Sequence, residues 1–207
     1  MRLRRTTDDG RRTRPKGQTL VELLIASAVI STGLFAAATL VFSNLQLSDR
    51  DSDEVVAVNL AREGIEQSKE LRDSNWLAGL PFDEGLHDGA DYSATPLWDG
   101  TAAADRIRFD FRANDLTHPN AIVRQSADPA TPGFYTQTDA SAPETPWRRL
   151  LIFHPICESG GAPVVKDEGE ICDPDVKVGV RIESRVHWTR RGNTFDRVIY
   201  EDLYDWR

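Results

Sequence analysis

The chain has 207 residues, with 25 Lys and Arg against 33 Asp and Glu and a formal net charge of −8. Binding to phosphate polymers rests on clustered Lys and Arg, so an acidic chain of this kind is not expected to take nucleic acid as a partner. The length accommodates one compact domain beside a long helix, and not two.

Residues 1–16 hold Arg2, Arg4, Arg5, Arg11, Arg12, Arg14 and Lys16 against only Asp8 and Asp9. Residues 23–42 then carry no charge. A helix over residues 18–42 is about 38 Å long at about 1.5 Å per residue, enough for the ~30 Å hydrocarbon core of a bilayer. The positive flank keeps the N-terminal end in the cytoplasm, which predicts a single pass with everything downstream outside. Ala36-Ala37-Ala38 also suits an ordinary secretory signal cut near Thr39. Glu22 stands at the edge of the apolar run. On insertion scales an acidic side chain at a helix centre costs about 2.5 to 3.5 kcal/mol, so an intramembrane carboxylate marks a function, and its expected partner is a positive charge at the head of a similar helix.

The run Lys16-Gly17-Gln18-Thr19-Leu20-Val21-Glu22-Leu23-Leu24-Ile25-Ala26 resembles the class III signal of type IV pilins and type II secretion pseudopilins. The resemblance implies that residues 1–17 are a leader removed by a membrane prepilin peptidase between Gly17 and Gln18. It further implies N-methylation at Gln18, which stands where most of the family has Phe, and an assembly role for Glu22 as the fifth mature residue. The physical logic is separable from the family. Cutting after Gly17 creates an α-amine at Gln18 that Glu22 of a neighbouring subunit can reach, and such a pair, weak as a source of net stability, rewards one staggered register. The absence of Pro from residues 18–42 speaks for a minor subunit. The partners implied are other pilin or pseudopilin subunits, the peptidase, an inner-membrane assembly platform and membrane lipid. The alternative is a singly anchored or secreted β-rich surface binding domain that does not polymerise.

Beyond the span, residues 49–72 contain no Pro and only Gly64, and Ala57, Leu60, Ala61, Ile65, Ser68 and Leu71 recur at three- and four-residue steps. This predicts one helix over roughly residues 19–73, whose outer half, residues 43–75, lays that stripe on a head domain at residues 76–207. Asn59-Leu60-Ala61-Arg62-Glu63-Gly64-Ile65-Glu66 also resembles a stretch found near the end of this helix in pilin-like proteins. Asp73-Ser74-Asn75 reads as the stop, with Trp76, Leu77 and Leu80 turning back over the core.

Residues 79–146 are rich in Gly, Pro, Asp, Ala and Thr, with short strands expected at 106–111, 121–124 and 134–136 and surface loops at 126–132 and 139–146. The last third is β-rich, with strands expected at 148–154, 176–189 and 194–206 and a tight hairpin turn over Arg191-Gly192-Asn193. A sheet packed on the helix then hides Val180, Ile182, Val186 and Trp188 together with Val198, Tyr200 and Leu203. The fold class is α+β, a long N-terminal helix packed on a C-terminal antiparallel sheet, which is also the architecture that the resemblance implies.

Cys157 and Cys172 are the only cysteines. In an exported compartment a disulfide is the favoured reading, with two free thiols as the alternative, and it would pin the Gly-rich, acidic loop of residues 158–171. Asp49-Arg50-Asp51-Ser52-Asp53-Glu54 alternates like half an EF-hand, but its sixth position is Glu54 and its twelfth Leu60, where the motif needs Gly and Glu. Asp167, Glu168, Glu170, Asp173 and Asp175 read as a solubilising loop before a calcium site. His87, His118, His154 and His187 stand in no ligand or triad spacing, and no nucleotide or hydrolase motif occurs. No cofactor and no enzymatic activity are expected.

Overall fold

The computed structural model describes residues 16–87, 91–97, 107–126, 129 and 133–205, with the backbone alone at 16–18 and 159. Residues 1–15, most of the segment expected to be a leader, lie outside the described residues. Helix α1 (Lys16–Ala78) is followed by strands β1 (Ser93–Leu97), β2 (Arg108–Asp110), β3 (Ile122–Gln125), β4 (Tyr135–Thr136), β5 (Glu144–Ser159), β6 (Ala162–Val165), β7 (Val176–Arg190) and β8 (Asn193–Tyr204). The chain divides into two compact units, Met1–Asp51 and Ser52–Arg207.

In the first unit the only described element is the beginning of α1, and every side chain from residue 19 to 51 is exposed. In the second, the remainder of α1 packs on an antiparallel sheet, the α+β arrangement expected. Strand β5 is its centre. One edge pairs with β7 from Trp147 to Glu158; the other is shared in turn by β3, β1 and β6. β8 pairs with β7 alone.

The helix stripe read from the sequence is the buried face: Ala57, Leu60, Ala61, Ile65, Ser68 and Leu71 are all buried. Leu60 and its neighbours pack with Val123, Val186 and Trp188, and Ile65 and Leu71 with Leu151, Phe153, Val180, Ile182 and Leu203. Gly64 permits this approach, since a Cβ built there would lie 2.6 Å from Leu151 Cδ2 and 3.2 Å from Ser184 Oγ.

Several boundaries differ from the sequence reading. Asp73-Ser74-Asn75 does not stop the helix. It runs on to Ala78 and ends at Gly79, whose φ is 72°, with Gly79 N–H donating to Trp76 O (3.2 Å) and Leu80 N–H to Asn75 O (2.9 Å). That pair of bonds is the Schellman termination, which needs a left-handed residue just past the helix. Asn75 is buried and donates through Nδ2 to Glu84 O at 2.8 Å, so it ties down the following loop. Of the three apolar residues expected to fold back, only Trp76 is buried, while Leu77 is 90% exposed. β5 is twice the expected length, and the supposed loop at 158–171 begins as a hairpin turned by Gly160 and Gly161, both at positive φ. Of the strand expected at 106–111, residue 106 lies outside the described residues and the rest is confined to the three residues of β2.

The β7–β8 turn corrects a second expectation. Arg190 pairs with Asn193, so the turn is the two residues Arg191 and Gly192, with φ of 50° and 80°, and not three. Phe195, Ile199 and Leu203 consequently share the inner face with Trp188, Ser184 and Val180. Val198 is half-buried and Tyr200 is 56% exposed on the other side. A one-residue slip in register moves every side chain of a strand to the opposite face.

Candidate functional site

An α-helix that is apolar on all sides belongs inside a protein core or in lipid. From Leu20 to Leu47 the large apolar side chains of α1, among them Leu23, Leu34, Phe35 and Phe42, are each more than half exposed. None of the apolar window is buried by the rest of the described protein, and by length and composition this is the candidate membrane span.

Within that run the small polar groups are already satisfied. Ser27 Oγ donates to Leu24 O at 2.9 Å, Ser31 Oγ to Ser27 O at 2.7 Å, Thr32 Oγ1 to Ala28 O at 2.8 Å and Thr39 Oγ1 to Phe35 O at 2.8 Å. Back-bonding of this kind lets hydroxyls sit in an apolar medium without an external partner. Glu22 is the exception. It is exposed between Val21 and Leu23, and its carboxylate makes no hydrogen bond or ion pair with any described residue. A carboxylate cannot be satisfied by its own helix, because helical N–H groups beyond the first turn are already bonded. Gly17 and Gln18 lie in the first turn of α1, within a few residues of Glu22 along the helix.

The head is held by groups that sequence reasoning missed. Arg149 is 2% exposed. Its Nε donates to Gln137 Oε1 at 2.8 Å, and its Nη1 donates to Leu60 O at 3.0 Å and lies 3.2 Å from Glu63 Oε2. Burial pushes this guanidinium below its ordinary range, and Glu63 pulls it back up. Gln137 Nε2 in turn donates to the carbonyls of Asn120, Ala121 and Arg149, so one buried pair links α1, β5 and the segment before β3. An Arg in an Arg148-Arg149 pair reads as surface; the alternation of β5, which puts Trp147, Arg149, Leu151 and Phe153 on one face, is the signal that could have found it.

Cys157 and Cys172 form a disulfide with a Cα–Cα distance of 5.5 Å, joining β5 to the segment before β7. The strand histidines lie beside carboxylates on the outer sheet face, His154 Nε2 at 3.3 Å from Glu183 Oε2 and His187 Nδ1 at 2.8 Å from Asp196 Oδ1. His118 accepts from Asn120 N–H at a single helical turn, and His87 stacks on Tyr92 at 5.5 Å. Among the described residues no three His, Cys, Asp or Glu side chains are grouped to hold a metal ion. In the acidic loop Glu168 accepts from Ser93 Oγ, and Glu170 accepts from the Asp167 N–H at 3.1 Å.

No protein-family model, no curated protein and no solved structure matches this chain.

Proposed function

We propose that this chain is a structural subunit of the pilin or pseudopilin kind, processed after Gly17 and assembled through α1 into a type IV pilus or a type II secretion pseudopilus. The observation that carries the reading is the contrast inside the exposed apolar helix. Every described hydroxyl bond in residues 20–42 closes on the helix itself, and Glu22 alone has no described partner. In lipid such a group is costly unless another chain supplies a positive charge. A free α-amine at Gln18 of a neighbouring copy is that charge, and pairing fixes the axial stagger of successive helices.

The basic leader and its resemblance to class III signals support the same reading, in which the head lies outside the cytoplasmic membrane and then in a periplasmic or extracellular filament. The peptidase and an inner-membrane assembly platform act on the chain. The test is the N-terminus of the membrane-extracted protein by mass spectrometry, with and without a prepilin peptidase. A peptidase-dependent start at Gln18 is expected, and a start at Met1 or near Thr39 would remove the filament. Glu22→Ala should leave membrane insertion intact and abolish incorporation into filaments; normal incorporation of that variant would sink the pairing role.

A further inference from the structure

The sheet of the Ser52–Arg207 unit ends, among the described residues, on edges of very different kinds. β2 and β4 are three and two residues long. β6 has four residues, and because Ala162 pairs with Ser159 across the Gly160-Gly161 turn, the missing N–H of Pro163 faces away from β5. Short strands and outward prolines are how edges are kept from pairing with other chains. β8 has neither device. It runs for 12 residues, holds no Pro, Gly or Lys, pairs with β7 alone and keeps one register from Asn193 to Tyr204 without a bulge.

Pairing parity fixes which backbone groups of β8 are unused. Arg190 and Asn193 flank a two-residue turn, so the odd-numbered residues of β8 bond β7, and the bond from Asp205 N–H to Val178 O at 2.9 Å continues that series. The N–H and C=O groups of Thr194, Asp196, Val198, Tyr200, Asp202 and Tyr204 point to the open side, where they bond no described residue. Such a row is a template for an added strand.

The charges along the strand select the occupant. Arg197 is paired with Glu54 and Asp202 with Arg181, so both are offset on the head itself. Asp196 bonds the imidazole of His187 at 2.8 Å, which supplies no charge in its neutral form, and the carboxylate is 56% exposed. Glu201 shares Lys69 with Glu66, at 3.1 and 3.2 Å, one cation for two carboxylates. Negative charge is therefore left at Asp196 and Glu201, five residues apart and on opposite faces of the sheet, with Val198, Ile199 and the exposed Tyr200 between them. A second copy fits this edge poorly. Antiparallel pairing of β8 on itself about Ile199 sets Asp196 against Asp202 twice over, and moving the centre by one residue sets Glu201 against Phe195 or Arg197 against Leu203.

We propose that the open edge of β8 docks an extended segment of another protein, antiparallel to β8, with a Lys or Arg opposite Glu201, another opposite Asp196, and uncharged β-branched residues between them. Neither the span nor the filament is needed for this docking. The probe is the end-capped peptide Thr-Lys-Thr-Ile-Val-Thr-Lys-Thr, added to the full chain in uncharged maltoside micelles with isotope-labelled valine and tyrosine. Amide hydrogen exchange at Val198 and Tyr200, followed by NMR, should slow on the order of tenfold as the edge fills, and glutamate in place of both peptide lysines should weaken binding on the order of tenfold. Val198→Pro removes an N–H that β7 does not use, so tryptophan fluorescence should report an intact head while the peptide no longer binds. Val198→Thr keeps that N–H and should bind as the parent does. Unchanged exchange on adding the peptide, equal binding of the glutamate peptide, or undiminished binding to Val198→Pro each overturns the docking. Slow exchange at Val198 without peptide, lost on dilution, overturns it in favour of a second copy on this edge.

Discussion

Gly64→Ala should destabilise the head although it improves the helix, and the conflict has a measurable sign. In a helix interior Ala is better than Gly by roughly 0.5 to 1 kcal/mol. At this position the added Cβ would stand 2.6 Å from Leu151 Cδ2 and 3.2 Å from Ser184 Oγ. Leu151 and Ser184 are both fully buried, so the leucine has no solvent to swing into and the contact must be relieved by shifting α1 or β5. Overpacking of that kind costs about 1 to 3 kcal/mol, leaving a net loss on the order of 1 kcal/mol. Leu151→Ala alone should cost about 2 to 5 kcal/mol through the cavity it leaves. On that background the Gly64→Ala methyl enters the vacated space, and the substitution becomes stabilising by about 1 kcal/mol, a coupling near 2 kcal/mol. The assay is urea unfolding of the full chain in detergent micelles, followed by tryptophan fluorescence, since Trp76 and Trp188 are buried. An equal effect of Gly64→Ala on both backgrounds would refute the close approach of helix and sheet.

Three further outcomes are expected. Arg149→Met should cost about 2 to 4 kcal/mol because it strips a buried donor from Gln137 and Leu60, whereas Glu63→Gln should cost under about 1 kcal/mol because that carboxylate is partly solvated; equal losses in urea titrations would make the ion pair, and not the backbone clamp, the source of stability. Arg181 bonds the Asp202 carboxylate at 2.7 Å and holds it below its ordinary range. The folded value lies under the unfolded one, near 4, so the stabilisation is fully present above about pH 4 and is lost as pH falls through the folded value. Thermal melts on acidification should show a shallower decline for Asp202→Asn than for the parent, and identical slopes would contradict the pairing. Finally, Ile199→Asp should lower the unfolding free energy by about 2 kcal/mol or more in urea titrations while Tyr200→Asp stays within about 0.5 kcal/mol; the reverse order would restore the three-residue turn.

The sequence by itself determined the helix, its wholly apolar and amphipathic stretches, and the fold class. Charge-free residues 23–42 and the amphipathic stripe from Ala57 to Leu71 are local patterns, set by a 3.6-residue period that needs no knowledge of what lies opposite. Cys157 and Cys172 were legible as a pair because no other cysteine competes.

What the tertiary structure alone decided is which side chains meet across elements. The choice between a three-residue turn over Arg191-Gly192-Asn193 and a two-residue turn over Arg191-Gly192 is one residue in the chain, yet it exchanges Val198 and Tyr200 for Phe195 and Ile199 on the inner face. Alternation along β8 is too mixed in charge to choose between them, and the pairing with β7 chooses. Asn75 and Arg149 were misread or missed for the same reason. An amide looks like a helix stop and an arginine looks like surface until carbonyls from distant segments, at Glu84 and Leu60, are brought within bonding distance, and those distances are a property of packing and not of local sequence.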